Sequence, residues 1–263
     1  MALLEVRNLC MTFGAADKQV EVLQDVNFDV EEGEFVSILG PSGCGKTTSL
    51  RMIGGLVPHE QGSIRIAGSE VLGPGKDRGF VFQQDGLYPW LTVMENVGFG
   101  LRIRGAARAE RQAAGQRFID LVGLSGFEKY FPYEISGGMR QRTNLARALV
   151  IDPAILLMDE PFAALDAQNR EIMQQELLRI CTQTGKTVLL VTHQIDEAIY
   201  LSKRVIVMSA RPGRVKTVVP IEFPWPRPLE IKRDPRFIEY MGILWELIEA
   251  DVKRGQLQVS SRP

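Results

Sequence analysis

Along the first third of the chain the apolar positions change their period three times, and each change marks a new element. Val26, Phe28 and Val30 alternate with Asn27 and Asp29, a period of two that predicts a half-buried strand, antiparallel and near a sheet edge. Phe35 to Leu39 is almost continuously apolar, the pattern of a strand covered on both faces in a mainly parallel sheet. A glycine-rich turn follows, and from Thr47 the spacing becomes helical, with Leu50, Ile53 and Leu56 on one face and Gly54-Gly55 at the end. Ile64 with Ile66, then Phe80 to Phe82, predict further short strands before the pattern breaks at Gly86 to Trp90.

From about residue 92 to residue 150 the strand signals vanish. Helical spacing replaces them, as in Ala106 to Val122, which stops before Gly123. Strand patterns return at Ile155 to Met158, Val188 to Thr192 and Val205 to Met208, separated by helical stretches at Gln168 to Ile180 and Asp196 to Leu201. That alternation is βαβ. After Ser209 the prolines 212, 220, 224, 226 and 228 predict an extended segment. A last helix then carries Phe237, Met241, Leu244 and Ile248 at i, i+4, i+7 and i+11, a stripe suited to docking on the parent fold or on a partner. There is no internal repeat.

Composition narrows the function classes. The 263 residues are 45% hydrophobic and 24% charged, within the range of folded globular chains. Thirty-one Lys and Arg against 32 Asp and Glu leave a net charge of -1, so no bulk attraction draws the chain to nucleic acid or anionic lipid. Cys10, Cys44 and Cys181 have neither zinc-site spacing nor the even count of a disulfide framework, which fits a reducing cytoplasm. Glu5 and Arg7 interrupt the N-terminal apolar stretch before it reaches signal-peptide length. No apolar run attains the ~18 residues a membrane span needs, so work at a membrane requires another chain to do the spanning.

Gly40-Pro41-Ser42-Gly43-Cys44-Gly45-Lys46-Thr47 matches G-x-x-x-x-G-K-[ST] and lies between the predicted buried strand and the predicted helix, the context a phosphate loop requires. Glycines let backbone N–H groups turn toward phosphate oxygens, and the helix N-terminus adds its positive end. Lys46 is then placed for the β- and γ-phosphates and Thr47, followed by Thr48, for Mg²⁺ and phosphate. Cys44, among these donors, is expected to have a lowered thiol pKa and to be reactive. A second site is Ile155 to Met158 followed by Asp159-Glu160, an apolar strand delivering two carboxylates to its C-terminal end, where open α/β sheets bind ligands. Asp159 suits Mg²⁺; Glu160 suits polarisation of a water for attack on the γ-phosphate.

The phosphate loop, Ile135-Ser136-Gly137-Gly138-Met139, Asp159-Glu160, Ala164-Leu165-Asp166 and His193 occur in the order and spacing of the ATP-binding cassette (ABC) ATPases, and together they cover most of residues 2–210. The chain therefore resembles that family. The resemblance implies an α/β fold with a P-loop NTPase core, a mixed sheet, an antiparallel β edge subdomain and a helical subdomain inserted at about 84–150. It sets the ATPase domain at 1–210 and a C-terminal extension at 211–263. It implies ATP as substrate with Mg²⁺, and hydrolysis completed across a dimer. Ser136, Gly137 and Gly138 would contact the γ-phosphate held by the opposite subunit, and Asp166 would join them at that interface. The signature departs from the commonest Leu-Ser-Gly-Gly-Gln at both ends, with Ile135 and Met139. By the same resemblance Gln83 senses Mg²⁺ and the attacking water, His193 contacts the γ-phosphate or water, and Phe13 stacks on adenine, although an aromatic near a strand end also serves packing.

Leu87-Tyr88-Pro89-Trp90-Leu91 and the tail Ser209-Ala210-Arg211-Pro212-Gly213-Arg214-Val215 look like the nitrate/sulfonate/taurine/bicarbonate importers of the family. The tail also reads as a Pro-Gly turn joining two strands. The importer resemblance implies a separate transmembrane permease, a periplasmic solute-binding protein, a second ATP-binding subunit and a peripheral place on the cytoplasmic face of the cell membrane, with no nucleic-acid partner. The alternative is a soluble ABC protein acting as a mechanical or regulatory module, but those carry two cassettes or long coiled-coil insertions. A P-loop GTPase would need an Asn-Lys-x-Asp motif, which is missing.

Overall fold

The run Phe35–Leu39 forms the strand at the centre of the fold's chemistry, and all five of its side chains are buried. The computed structural model describes residues 2–14, 19–84 and 86–260, with side chains to residue 253. These residues divide into two compact units, 1–75 with 187–263, and 76–186.

The first unit holds two sheets. The antiparallel one has the order β2-β1-β4-β5, from β1 (Ala2–Phe13), β2 (Val20–Glu31), β4 (Gln61–Ile66) and β5 (Ser69–Glu70). The alternating strand is thus an edge strand, as its pattern predicts. β1 escapes the period-two reading for a physical reason. Leu4 and Val6 are buried, but a register shift between Val6 and Leu9, with Asn8 at φ 48°, moves the inward face to Leu9 and Met11, as a bulge does. The second sheet sets β3 (Phe35–Leu39) parallel to both β8 (Thr187–Thr192) and β9 (Arg204–Met208), with β10 (Val215–Pro220) antiparallel to β9. The helix α1 (Lys46–Ile53) follows β3 and stops at Gly54; Leu56 lies past its end and is exposed. The proline-rich segment is extended as expected, and its first part is a paired strand, with Pro220 at the end of an edge strand where its missing N–H is tolerated.

The final helix α8 (Pro235–Ser260) docks on its own unit. Phe237, Leu244 and Ile248 are buried, whereas Met241 turns outward. Lys216 of β10 fastens the helix by donating to Leu247 O at 2.6 Å and pairing with Asp251 at 2.8 Å. Between β10 and α8 the chain is anchored by Arg227, which is 3% exposed. Its guanidinium donates to the carbonyls of Ile199, Ser202 and Ile221 at 2.5, 2.7 and 2.9 Å and lies 5.5 Å from the Trp225 ring centroid. The helix α7 (Ile195–Leu201) and the extended segment therefore share one cation. Burial lowers its pKa to about 10, so it stays charged at neutral pH. Replacing it removes this donor from the carbonyls of Ile199 and Ser202, while Ile221 O keeps Phe223 N, and each buried carbonyl left unpaired costs ~1–3 kcal/mol. Arg227→Met is expected to lower the melting temperature by ~6 °C or more, readable in a thermal unfolding scan; an unchanged midpoint would contradict the anchoring role.

In the second unit β6 (Arg78–Val81) and β7 (Ile155–Asp159) pair in parallel. Helices supply the rest: α2 (Val93–Val97), α3 (Phe99–Ile103), α4 (Arg108–Leu121), α5 (Gly137–Leu149) and α6 (Ala167–Thr184). α2 begins with a capping box, Thr92 accepting from Glu95 N while Glu95 reaches back to Thr92 N. Buried Asn96 accepts from Tyr88 N and donates to the carbonyls of Tyr88, Leu91 and Thr92, pinning segment 88–92 to the helix. α6 ends at Gly185 in the left-handed conformation, the usual C-terminal stop.

Candidate functional site

The phosphate loop leaves the C-terminal end of β3 and enters α1. Gly43 and Gly45 have φ 76° and 98°, and a Cβ on Gly45 would lie 2.5 Å from Leu23 Cδ2, so position 45 admits only glycine on both conformational and steric grounds. Pro41, Cys44 and Lys46 are buried while Ser42 and Gly43 face solvent; Thr47 and Thr48 are half-buried. Lys46, 5% exposed, donates from Nζ to Gly40 O at 2.7 Å and Pro41 O at 2.9 Å. Among the described residues no carboxylate pairs with it. A buried ammonium held by two carbonyls, with Cys44 Sγ at 4.0 Å, is costly without a counter-charge.

Cys44 corrects the sequence expectation. Its thiol is 1% exposed, and burial pushes its pKa up, outweighing the lowering effect of Lys46. The rule that thiols at helix N-termini are activated presumes solvent access to the thiolate, and here the apolar surroundings decide.

β3 and β8 are in register from Phe35 with Val188 to Leu39 with Thr192. Gly40 and His193 therefore leave the sheet from adjacent strand ends. The turn carrying His193 is fixed by Thr192, whose hydroxyl pairs with buried Glu197 and accepts from Gln194 N at 3.0 Å. His193 itself is exposed. This Thr192–Glu197 pair was not legible in the sequence, because its members lie on a strand and a following helix and match no motif. Phe13 ends β1 at 45% exposure.

In the second unit, Val81 pairs with Met158, so Gln83 and Glu160 emerge from the ends of neighbouring parallel strands. Gln83 and its neighbour Gln84 are exposed. Asp159 is the last residue of β7 and 4% exposed; Glu160 follows at φ 44°. A left-handed glutamate costs of order 1 kcal/mol and concentrates at functional sites. Ser136 caps α5, accepting from Met139 N at 3.3 Å, with Ser136 and Gly137 exposed and Ile135 buried beneath them. The N-terminus of a 13-residue helix thus opens to solvent, a ready anion site. Asp166 caps α6 through Asn169 N at 3.0 Å, and that hydrogen bond together with the one from the Asn169 side chain holds its carboxyl below the usual range.

The phosphate loop, His193 and Phe13 thus belong to the first unit, and Gln83, Ser136 to Gly138, Asp159, Glu160 and Asp166 to the second. A family model described as ABC transporter matches residues 23–163, from within β2 to just past Glu160. The chain belongs to the ABC transporter family. This ABC protein is 49% identical over 252 residues to an uncharacterised ABC transporter ATP-binding protein of Methanocaldococcus jannaschii, covering 96% of this chain and 93% of that one. It is 43% identical over 262 residues to the taurine import ATP-binding protein of Jannaschia sp., covering 96% and 98%, and 44% identical over 241 residues to that of Escherichia coli K12, covering 90% and 93%. Among solved structures it resembles a dimeric ATP-binding cassette in a post-hydrolysis state bound to ADP and Pi, with TM-score 0.74 and 35% identity over 84% of this chain and 99% of that one. The chain is an ATP-binding subunit with an ABC ATPase fold, and it is an ATPase.

Proposed function

We propose that this ABC ATPase energises import of a small, anionic solute of the nitrate/sulfonate/taurine/bicarbonate type through a separate permease, from the cytoplasmic face of the membrane. The near full-length likeness to taurine import ATP-binding proteins carries this reading. No helix among the described residues is long and apolar enough to cross a membrane, so the pathway for the solute belongs to another chain. A solute-binding protein delivers the solute to that permease.

Gly40 to Thr48 hold the phosphates of ATP, with Lys46 releasing its two carbonyls to meet the β- and γ-oxygens. Phe13 offers its open face to adenine. Thr47, Gln83 and Asp159 provide hydroxyl, amide and carboxylate oxygens, the hard donor set that suits Mg²⁺; the ion neutralises developing charge on the phosphates. Glu160 orients the attacking water and His193 contacts the γ-phosphate. Ser136 to Gly138 and Asp166 act on the ATP of a second ATP-binding subunit.

The helical segment 84–150 is the permease-facing insertion. A groove of about 330 Å³ in the second unit is lined by Phe80, Phe82, Tyr88, Phe99, Gly100 and Arg147. Tyr88 lies 4.5 Å from Phe99 and 5.6 Å from Trp90, ring to ring, and Trp90 is 70% exposed, while Leu87 is buried. The half-open aromatic wall suits a short amphipathic helix. The test is co-purification of the membrane subunit with the double variant Tyr88→Ala, Trp90→Ala. Two aromatic anchors at ~2 kcal/mol each predict assembly weakened by ~100-fold or more with ATP binding intact; unchanged assembly would refute the groove.

A further inference from the structure

The turn Ser209–Arg214, which joins β9 to β10, lies directly against the phosphate loop. Gly213 N donates to Val22 O at 2.8 Å and Gly213 O accepts from Gln24 N at 3.0 Å, so the turn is tied to β2 on both sides. A Cβ on Gly213 would fall 2.0 Å from Cys44 O. Only glycine lets the two backbones approach so closely. From this platform Arg211 reaches out, and its Nε and Nη2 both donate to Gly43 O, at 3.2 and 3.0 Å. Arg211 is exposed, and among the described residues no carboxylate pairs with it. Its charge is directed onto one loop carbonyl.

We propose that Arg211, held by Gly213, is a positioning residue for the nucleotide: it sets the Gly43–Cys44 peptide of the phosphate loop in the orientation that receives phosphate. The carbonyl of Gly43 and the N–H of Cys44 belong to one planar trans unit and point to opposite sides. A guanidinium on the oxygen therefore both fixes that plane and polarises the N–H on the far side. That N–H reaches its present acceptor, Pro41 O, only at 3.4 Å, the long limit of a hydrogen bond, and so retains capacity for an incoming oxygen. Ser209 ties the turn internally, donating from Oγ to Pro212 O at 3.2 Å and accepting from Arg214 N at 3.0 Å. Arg211 and Gly213 thereby act on the nucleotide loop from far along the chain, Arg211 lying 168 positions from Gly43.

The proposal rests on Gly40 to Thr47 being the nucleotide loop, and the experiment separates the two. ATP affinity, KM, kcat and melting temperature are measured on the full chain for Arg211→Ala, Arg211→Lys and Lys46→Ala. Losing a charge-assisted contact to the loop is expected to weaken ATP binding and raise KM ~10-fold in Arg211→Ala, with kcat at saturating ATP within about twofold and the melting temperature unchanged. Arg211→Lys, with charge but no fork, should recover part of the loss. Alkylation of Cys44, followed by peptide mass mapping without nucleotide, should accelerate several-fold in Arg211→Ala as the loop loosens. Wild-type ATP affinity in Arg211→Ala overturns the proposal, as does a lowered melting temperature with KM unchanged. Wild-type affinity in Lys46→Ala instead overturns the nucleotide-loop reading.

Discussion

Lys46→Ala is expected to reduce ATP affinity by ~10²–10³-fold without destabilising the protein. Truncating one partner of a buried, hydrogen-bonded charge pair costs ~2–5 kcal/mol in binding, and every ~1.4 kcal/mol is a factor of ten. The stability half of the prediction follows from the local geometry. Lys46 is buried, donates to two carbonyls and lies 4.0 Å from Cys44 Sγ, with no carboxylate partner among the described residues, so its removal deletes an uncompensated charge along with these hydrogen bonds, and the effects oppose one another. A purely structural lysine behaves the other way, losing melting temperature while the folded fraction binds ATP normally. Calorimetric titration with Mg-ATP, paired with a thermal scan, distinguishes the two; a folded Lys46→Ala protein with wild-type affinity would remove the lysine from the site.

What the chain's pattern disclosed, and what it hid, divides by the range of the interactions. β3, β7 and β8 were legible because each is a short, fully buried run, and burial on both faces writes itself into consecutive residues. The motifs were legible because loop and cap chemistry is local. β1 was hidden because its inward face changes phase at Asn8, and no period-two window survives a bulge. β10 is signalled only by the Pro-Gly turn before it, since its own six residues alternate half-buried and exposed and end in proline. Cys44 departs from its motif because burial of the thiol outweighs the lowering effect of nearby Lys46, and burial is not written in the local sequence.

Arg211 and Arg227 show the same limit more sharply. Each appears in the sequence as an arginine among prolines. One sits on a carbonyl 168 positions away and the other on carbonyls up to 28 positions away. Backbone carbonyls carry no residue identity, so no side-chain motif can announce a cation that binds them. The stretch 209–228, which the prolines mark as extended and whose start reads as a Pro-Gly turn, is where the first unit keeps two such clasps.

Glu160→Gln is expected to lower the hydrolysis rate by ~10²–10⁴-fold, the range for losing a general base, while leaving ATP affinity nearly unchanged. The amide keeps the size of the carboxylate and accepts the same left-handed backbone at φ 44°, so the turn after Asp159 need not rearrange. It cannot take a proton from water. If Ser136 to Gly138 complete the site of a second subunit, ATP that is bound but not hydrolysed holds two chains together, because each γ-phosphate is gripped from both sides. Size-exclusion chromatography of Glu160→Gln with Mg-ATP should then show a dimer that the wild type forms only transiently. Ser136 caps α5 from an exposed position; Ser136→Arg gives up that cap, a loss of ~1 kcal/mol, and fills the approach to the helix N-terminus. The double variant should therefore bind ATP on its own loop yet elute as a monomer. A dimer that persists in Glu160→Gln, Ser136→Arg would mean that the signature helix does not face the partner's phosphate. Hydrolysis by Glu160→Gln at the wild-type rate would return the catalytic carboxylate to Asp159 or to another residue.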